Sequence, residues 1–159
     1  MQLDLDWEFV ADTVMGGVSQ GRVTRETVDG RDAARLTGQV SLDNDGGFIQ
    51  MAADLDPYGR PVDLSAYSGL TFDAFGNGES YELRLRTADL TRPWQSYRMS
   101  FTAPPRWTRV TAPFAELDAH RTDAPFDPAR VRRLGILAVG RAFAADVAIT
   151  GLALLTTKP

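Results

Sequence analysis

The sequence contains no cysteine and a single histidine, His120. The absence of thiols excludes disulfides, zinc–thiolate sites and iron–sulfur clusters. A lone histidine disfavours a transition-metal site, because such sites draw on several His or Cys ligands. No segment approaches the ~20 apolar residues that a membrane-spanning helix needs. The acidic N-terminus is not typical of a signal or transit peptide, so we expect a cytoplasmic protein with no membrane span.

Acidic residues slightly outnumber basic ones, with 21 Asp and Glu against 17 Lys and Arg. The formal net charge is −4 and the sequence pI is near 4.9. This balance disfavours general affinity for nucleic acid or anionic membranes, although a local basic face remains compatible with it. A chain of 159 residues with 43% hydrophobic content is sufficient for one core. We therefore expect a single domain over residues 1–159.

Apolar and polar residues alternate with a period of two along much of the chain, as in half-buried strands. The pattern is clearest in residues 36–42, 81–86 and 97–101. Residues 134–139 and 147–155 are more continuously apolar, which is typical of central strands. Gly, Asn, Asp and Pro clusters separate these runs and favour chain reversals.

Helix signals are few and short. Asp127 is a favourable N-cap before Pro128, and Ala129 to Arg133 are expected to follow as one or two helical turns. Residues 113–117 are the other candidate for a short turn. The many short strands predict an all-β fold, an antiparallel sandwich or barrel with one or two short helical turns.

Two glycine pairs lie in unusual surroundings, within residues 12–19 and 42–48. The first pair fits neither the dinucleotide-binding fingerprint nor the nucleophile elbow, because its spacing is wrong for both. One interpretation is a loop that binds a partner or small ligand. Its candidate residues are Asp12, Met15, Gly16, Gly17 and Ser19, with Asn44 from the second block. The alternative is a structural crossover in which Asp12 caps loop amides while Met15 and Val18 enter the core.

The second block also offers three oxygen-bearing side chains in a turn. Asp43, Asn44 and Asp45 are a weak calcium candidate on ligand type alone. Asn and Asp side chains that bond their own loop backbone explain the same residues without a metal.

Arginines form the sharpest candidate site. Arg84 and Arg86 are two residues apart, so their side chains leave the same strand face about 7 Å apart. Arg98 is expected on a neighbouring strand with the same orientation. Three guanidinium groups on one face are suited to carboxylates, phosphates or an acidic partner surface. The alternative is a ladder of cross-strand ion pairs with Asp73 and Glu82.

Two further patterns bear on binding and catalysis. Trp94 and Tyr97 are candidates for a stacking surface at the rim of the arginine face.

His120 is placed in a polar loop, and no spacing singles out a pair of carboxylates among the glutamates. We therefore expect no catalytic residues, no enzyme activity and no cofactor.

Several blocks occur in a specific order along the chain. They comprise Trp7 and residues 12–19, 44–48, 63–70, 76–87, 107–114 and 133–136. In this order the chain resembles the complex I intermediate-associated protein 30 family. The resemblance implies a jelly-roll β-sandwich of the galactose-binding-domain-like type, and a bacterial single-domain relative without a mitochondrial leader.

The resemblance also implies a role. Eukaryotic members help to build respiratory complex I and bind its assembly intermediates. The expectation is a non-catalytic binding module whose partner is a protein, with complex I subunits or assembly intermediates as the implied partners. The alternative is a module that binds carbohydrate or another small ligand, by analogy with other galactose-binding-like folds.

Overall fold

The computed structural model describes residues 2–156, apart from the side chains of Val14, Met15 and Asp45. The roles expected for the Met15 and Asp45 side chains therefore lie outside the described part. Within that range the strands are β1 Glu8–Ala11, β2 Gln20–Val28, β3 Arg31–Val40, β4 Phe48–Asp54, β5 Tyr67–Gly76, β6 Ser80–Thr87, β7 Ser96–Thr102, β8 Thr108–Pro113, β9 Asp118–His120, β10 Val131–Val139 and β11 Phe143–Thr156.

The strands form two antiparallel sheets. The six-stranded sheet has the order β1-β4-β10-β6-β7-β9, and the five-stranded sheet has the order β2-β3-β11-β5-β8. The predicted all-β antiparallel sandwich is confirmed. The two apolar runs become β10 and β11, and each lies between two neighbours in its sheet. Residues 134–138 of β10 are all buried, in agreement with their continuous apolar sequence.

Short 3-10 turns are the helical elements of the described residues. They are Asp12–Met15, Asp43–Asp45, Phe114–Glu116 and Pro128–Arg130. The predicted cap at Asp127 is confirmed, since its side chain accepts a hydrogen bond from the Ala129 amide. The helical turn ends at Arg130, however, and the expected continuation to Arg133 is wrong. Val131 is fully buried and starts β10, where pairing with a neighbouring strand replaces a further turn.

The core lies between the two sheets. Tyr81, Leu83 and Leu85 of β6 are each at most 1% exposed, while Glu82, Arg84 and Arg86 face away from the core. Each fully buried side chain of this size contributes about 1.5–3 kcal/mol to folding. The inward alternation of β6 therefore leaves its polar side chains on the outer face of the six-stranded sheet.

No helix in residues 2–156 is long and apolar enough to cross a membrane.

Candidate binding cleft on the six-stranded sheet

A cleft of about 890 Å³ lies on the outer face of the six-stranded sheet. Its floor comes from β4, β10 and β6. Its walls come from the loop before β4 and from the segment that leads into β7. This volume is within the range of ~300–1,000 Å³ that small-ligand sites occupy.

Strand register explains the shape of the floor. Ala52, Gly135 and Arg84 lie side by side on three neighbouring strands. A Cβ atom at Gly135 would lie 2.7 Å from the Oε1 atom of Gln50. The glycine therefore lets the Gln50 side chain lie across the sheet and keeps the centre of the floor low.

One half of the cleft is apolar. It is lined by Val10, Leu42, Phe48, Leu137 and Val139. These side chains come from β1, β4, β10 and the loop before β4, and they offer no hydrogen-bond donor or acceptor. Gln50, in register with Val10 and Leu137, is a polar side chain among them. Apolar groups of a ligand suit the rest of this half, because unpaired polar groups are costly to bury.

The other half is cationic. Arg84, Arg86, Arg121 and Arg133 line it, and no described carboxylate does. His120 also lines this half, and its pKa is lowered by burial and by the neighbouring arginines. On a chain with a net charge of −4, this half of the cleft is a local positive patch.

Two of the predicted arginines share one acid. Arg84 and Arg98 are paired in register on β6 and β7, which confirms their expected common face. Glu82 lies 2.8 Å from Arg84 and 3.7 Å from Arg98. The ion-pair ladder is therefore present for these two residues. Asp73 is not part of it, because β5 belongs to the other sheet, where its carboxylate contacts arginines of β3 and β8.

Arg86 differs from its neighbours. Its Nη2 atom donates a hydrogen bond to the Arg92 carbonyl at 2.9 Å, and its buried Nε atom has no acceptor. None of the described carboxylates is within ion-pair distance of it. Burial, together with the charges of Arg132 and Arg133, lowers the pKa of Arg86. The cleft thus contains a half-buried cation without a counter-charge among the described side chains.

Ser96 is a second unsatisfied group in the same place. It lines the cleft, is only 3% exposed, and its Oγ atom has no hydrogen-bond partner. Leu85 and Tyr97 are paired in register, so Arg86 and Ser96 occupy the next positions on these facing strands. No sequence motif marks Ser96 as a site residue, although its spacing of two residues from Arg98 indicates the same strand face.

The rim carries one exposed aromatic side chain. Trp94 is 57% exposed and borders the cleft. The Gln95 side chain orders this segment, since its Oε1 accepts from the Thr91 and Arg92 amides and its Nε2 donates to the Arg121 carbonyl.

Tyr97 does not share this surface, so its expected place beside Trp94 is wrong. It is 1% exposed and lies on the core face, because the alternation of β7 turns it inward. Its ring packs edge-on against Phe126, and its hydroxyl donates to the Ala124 carbonyl at 2.9 Å.

Asp12 joins the two glycine blocks. It is fully buried, and its carboxylate accepts hydrogen bonds from the Ser19 amide, the Ser19 hydroxyl, and the Gly47 and Phe48 amides. Burial alone would raise the pKa of Asp12. The hydrogen bonds outweigh that effect and hold the pKa below its ordinary value. This arrangement fixes the loop that forms one wall of the cleft.

The glycines are required by the same carboxylate. A Cβ atom at Gly17 would lie 2.4 Å from the Asp12 Cγ, and one at Gly46 would lie 2.4 Å from the Asp12 Oδ2. Gly16 adopts a φ of +89° at the turn. These contacts favour the structural interpretation of residues 12–19. Val18 is nevertheless 44% exposed, so its expected place in the core is wrong.

The fold adds little support for a ligand, metal or catalytic role of the remaining candidate residues. Asn44 has a φ of +57° in the turn before β4. No group of three His, Cys, Asp or Glu side chains is placed for a metal in the part of the chain that the structure describes. His120 ends β9 in register with Ser96, so its expected place in a loop is wrong. Glu79 and Glu82 are both paired with arginines.

A family model decides the relationship of this chain. The model of the complex I intermediate-associated protein 30 family matches residues 2–147. The chain belongs to this family. A search of the curated proteins found no significant match.

Solved structures share the fold. A family 11 carbohydrate-binding module from a cellulosomal cellulase of Clostridium thermocellum has a TM-score of 0.77 at 10% identity, covering 99% of this chain and 97% of that one. A family 30 module from another cellulosomal cellulase of the same organism has a TM-score of 0.71 at 18% identity, covering 100% and 96%. At these identities the likeness shows the jelly-roll fold alone.

Proposed function

We propose that this member of the complex I intermediate-associated protein 30 family is a non-catalytic module that binds a protein partner in the cleft of the six-stranded sheet. The family description supports respiratory complex I subunits or assembly intermediates as the partners. The observation that carries the proposal is the cleft itself, with its apolar half and its cationic half on one sheet face.

The size and chemistry of the cleft support an extended polypeptide segment. From Arg133 to Val139, β10 runs seven residues along the cleft, and the six steps between them correspond to about 20 Å. A segment of about six extended residues spans the same length. Apolar side chains are suited to the half around Leu137, and acidic side chains to the half around Arg86.

The charged groups of the cleft support binding. Glu82 is held between two arginines by ion pairs. Guanidinium groups keep their charge at physiological pH and act as hydrogen-bond donors. We therefore assign these groups to recognition, while His120 is the lining side chain of a type that can exchange protons.

Photo-cross-linking tests this proposal directly. The photoreactive residue p-benzoylphenylalanine is placed at Trp94, on the cleft rim, in a host that assembles complex I and lacks the native gene. The matched control carries the same residue at Thr111, which is exposed on the five-stranded sheet. We expect cross-links to complex I subunits or assembly intermediates from position 94 only. Equal cross-linking from both positions, or products without respiratory-chain proteins, would contradict the proposal.

A second candidate function is carbohydrate binding. The specific observation in its favour is Trp94, an exposed indole at the rim of a cleft on a jelly-roll sheet, since sugars stack on such rings. One solved neighbour is a family 11 module in complex with a β-1,3-1,4-mixed-linked tetrasaccharide. Calorimetric titration with that tetrasaccharide tests the alternative. Heat that is lost in Trp94→Ala would favour it over protein binding, and no heat would remove its support.

A further inference from the structure

The cationic half of the cleft holds two donors that the protein leaves unused. The Arg86 Nε atom and the Ser96 Oγ atom are both buried without a partner, and both residues line the cleft. Buried donors in native proteins are almost always hydrogen-bonded, and each exception calls for an explanation. Two exceptions at adjacent positions of facing strands point to one missing acceptor.

We propose that Arg86 and Ser96 form a recognition site for a carboxylate, supplied by an aspartate or glutamate of the partner protein segment that occupies the cleft. The inference rests on the proposed function, because it names the chemistry by which that partner is recognised. It assigns the ligand a negative charge opposite Arg86 and apolar side chains further along the cleft.

Hydrogen-bond geometry supports an oxyanion. A guanidinium group presents its donors in a planar fork that matches the two oxygens of a carboxylate. The Arg92 carbonyl holds Nη2 of Arg86 and so limits rotation of the guanidinium plane, while the buried Nε has no acceptor. The Ser96 hydroxyl faces the same region and can donate to the same group.

Electrostatics support the same ligand. No described carboxylate is within ion-pair distance of Arg86, and burial together with the charges of Arg132 and Arg133 lowers its pKa. Glu82 compensates Arg84, while Asp54 and Glu8 compensate Arg133. Arg121 also lines the cleft without a described ion pair, but it is exposed to solvent, whereas Arg86 is half-buried. A carboxylate beside Arg86 would provide the counter-charge that this half-buried arginine lacks among the described side chains.

The apolar half argues for a polypeptide as the source of the carboxylate. An acidic saccharide would also offer carboxylates, but its hydroxyls would meet mainly Leu137, Val139 and Phe48, with Gln50 as a polar side chain in register with Leu137. Every second side chain of an extended peptide faces the same way, so acidic side chains near one end and apolar side chains near the other can reach separate halves of the cleft. We therefore assign the carboxylate to a protein.

The test uses the whole protein and defined probes. One probe is a capped hexapeptide with two glutamates in its first half and leucine and valine in its second half, and its control has glutamine at both glutamate positions. Hexagalacturonate and inorganic phosphate are the other probes. Calorimetry measures affinity, and nuclear magnetic resonance follows the arginine Nε–H signals. The variants are Arg86→Gln and Ser96→Ala. The matched control is Arg109→Gln on the other sheet, where Arg109 is paired with Asp73.

We expect the glutamate peptide to shift the Arg86 Nε–H signal and to bind about 10-fold or more tightly than the glutamine peptide. Arg86→Gln should lose that preference, Ser96→Ala should reduce it, and Arg109→Gln should keep it. Equal affinity for both peptides, or no shift at Arg86, would overturn the proposal. Tighter binding of hexagalacturonate or phosphate than of the glutamate peptide would overturn the assignment to a protein carboxylate.

The two proposals fail in different ways. If position 94 cross-links complex I proteins but the glutamate peptide leaves Arg86 unchanged, the carboxylate site is wrong and protein binding stands. If the glutamate peptide binds at Arg86 but position 94 captures no respiratory-chain protein, the carboxylate site stands and the partner is wrong.

Discussion

Replacing Asp12 with alanine should strongly destabilise the protein. The carboxylate accepts hydrogen bonds from four donors on two segments that lie up to 36 residues away in sequence. The Ser19 hydroxyl retains the Ser41 carbonyl at 3.1 Å as an acceptor, and the Phe48 bond is long at 3.3 Å. The main loss therefore falls on two amides, those of Ser19 and Gly47.

The magnitude follows from those two amides. Each buried donor left without an acceptor costs about 1–3 kcal/mol, and bonds to a charged group are at the upper end. We expect Asp12→Ala to lower the free energy of unfolding by about 3–5 kcal/mol, which is a large part of a typical stability of ~5–15 kcal/mol. Urea titration followed by circular dichroism measures this difference.

A matched control separates burial from hydrogen bonding itself. Asp63 also accepts from the amide and hydroxyl of a serine, Ser65, but it is exposed. Asp63→Ala should therefore cost much less than Asp12→Ala, because water replaces the lost acceptor. Similar costs for the two variants would refute the reasoning, as would a cost below about 1 kcal/mol for Asp12→Ala.

The same carboxylate predicts a pH dependence. The pKa of Asp12 in the folded protein is below its ordinary value of 3.8. Its stabilisation is therefore complete above that value and is lost as the pH falls towards the folded-state pKa. The difference in unfolding free energy between the wild type and Asp12→Asn should shrink below about pH 4. A difference that stays constant from pH 7 to pH 3 would contradict the assignment.

Three further variants test neighbouring parts of the account. Gly17→Ala should lower the free energy of unfolding by about 1–3 kcal/mol, because the added methyl group clashes with Asp12. Gly16→Ala should cost less, ~1 kcal/mol of backbone strain, because an added Cβ meets no atom within 4 Å but the residue has a φ of +89°. The reverse order in urea titration would contradict this. Burial raises the pKa of Tyr81 to about 12, so the free energy of unfolding should fall as the pH rises from 10 towards 12. Tyr81→Phe should remove the part of this fall that Tyr81 causes. An unchanged pH profile in Tyr81→Phe would contradict the raised pKa. Arg86→Gln should leave the unfolding free energy unchanged or raise it by up to ~1 kcal/mol, because it removes a half-buried charge without a partner; a clear loss would show that Arg86 stabilises the fold.

Local patterns predicted the strands because side-chain alternation is a local property. Tyr81, Leu83 and Leu85 had to be buried together once β6 formed against a core. The same alternation placed Arg84 and Arg86 on the outer face. The sequence order of motifs also resembled the family that the comparison then identified.

Long-range features were not predictable in this way. The sequence did not indicate that Asp12 binds the Gly47 amide, because the two are 35 residues apart and meet only through the topology. It also could not exclude Asp73 from the arginine face, since sheet membership depends on strand order. The unsatisfied state of Arg86 and Ser96 likewise emerges only when all their neighbours are in place.

A crystal structure of the protein with the glutamate hexapeptide tests the central claim most directly. The account predicts the peptide in the cleft of the six-stranded sheet, with a carboxylate oxygen within ~3 Å of both the Arg86 Nε and the Ser96 Oγ. Its apolar side chains should lie against Leu137. A peptide bound to the five-stranded sheet, or one that leaves Arg86 Nε without an acceptor, would contradict the account.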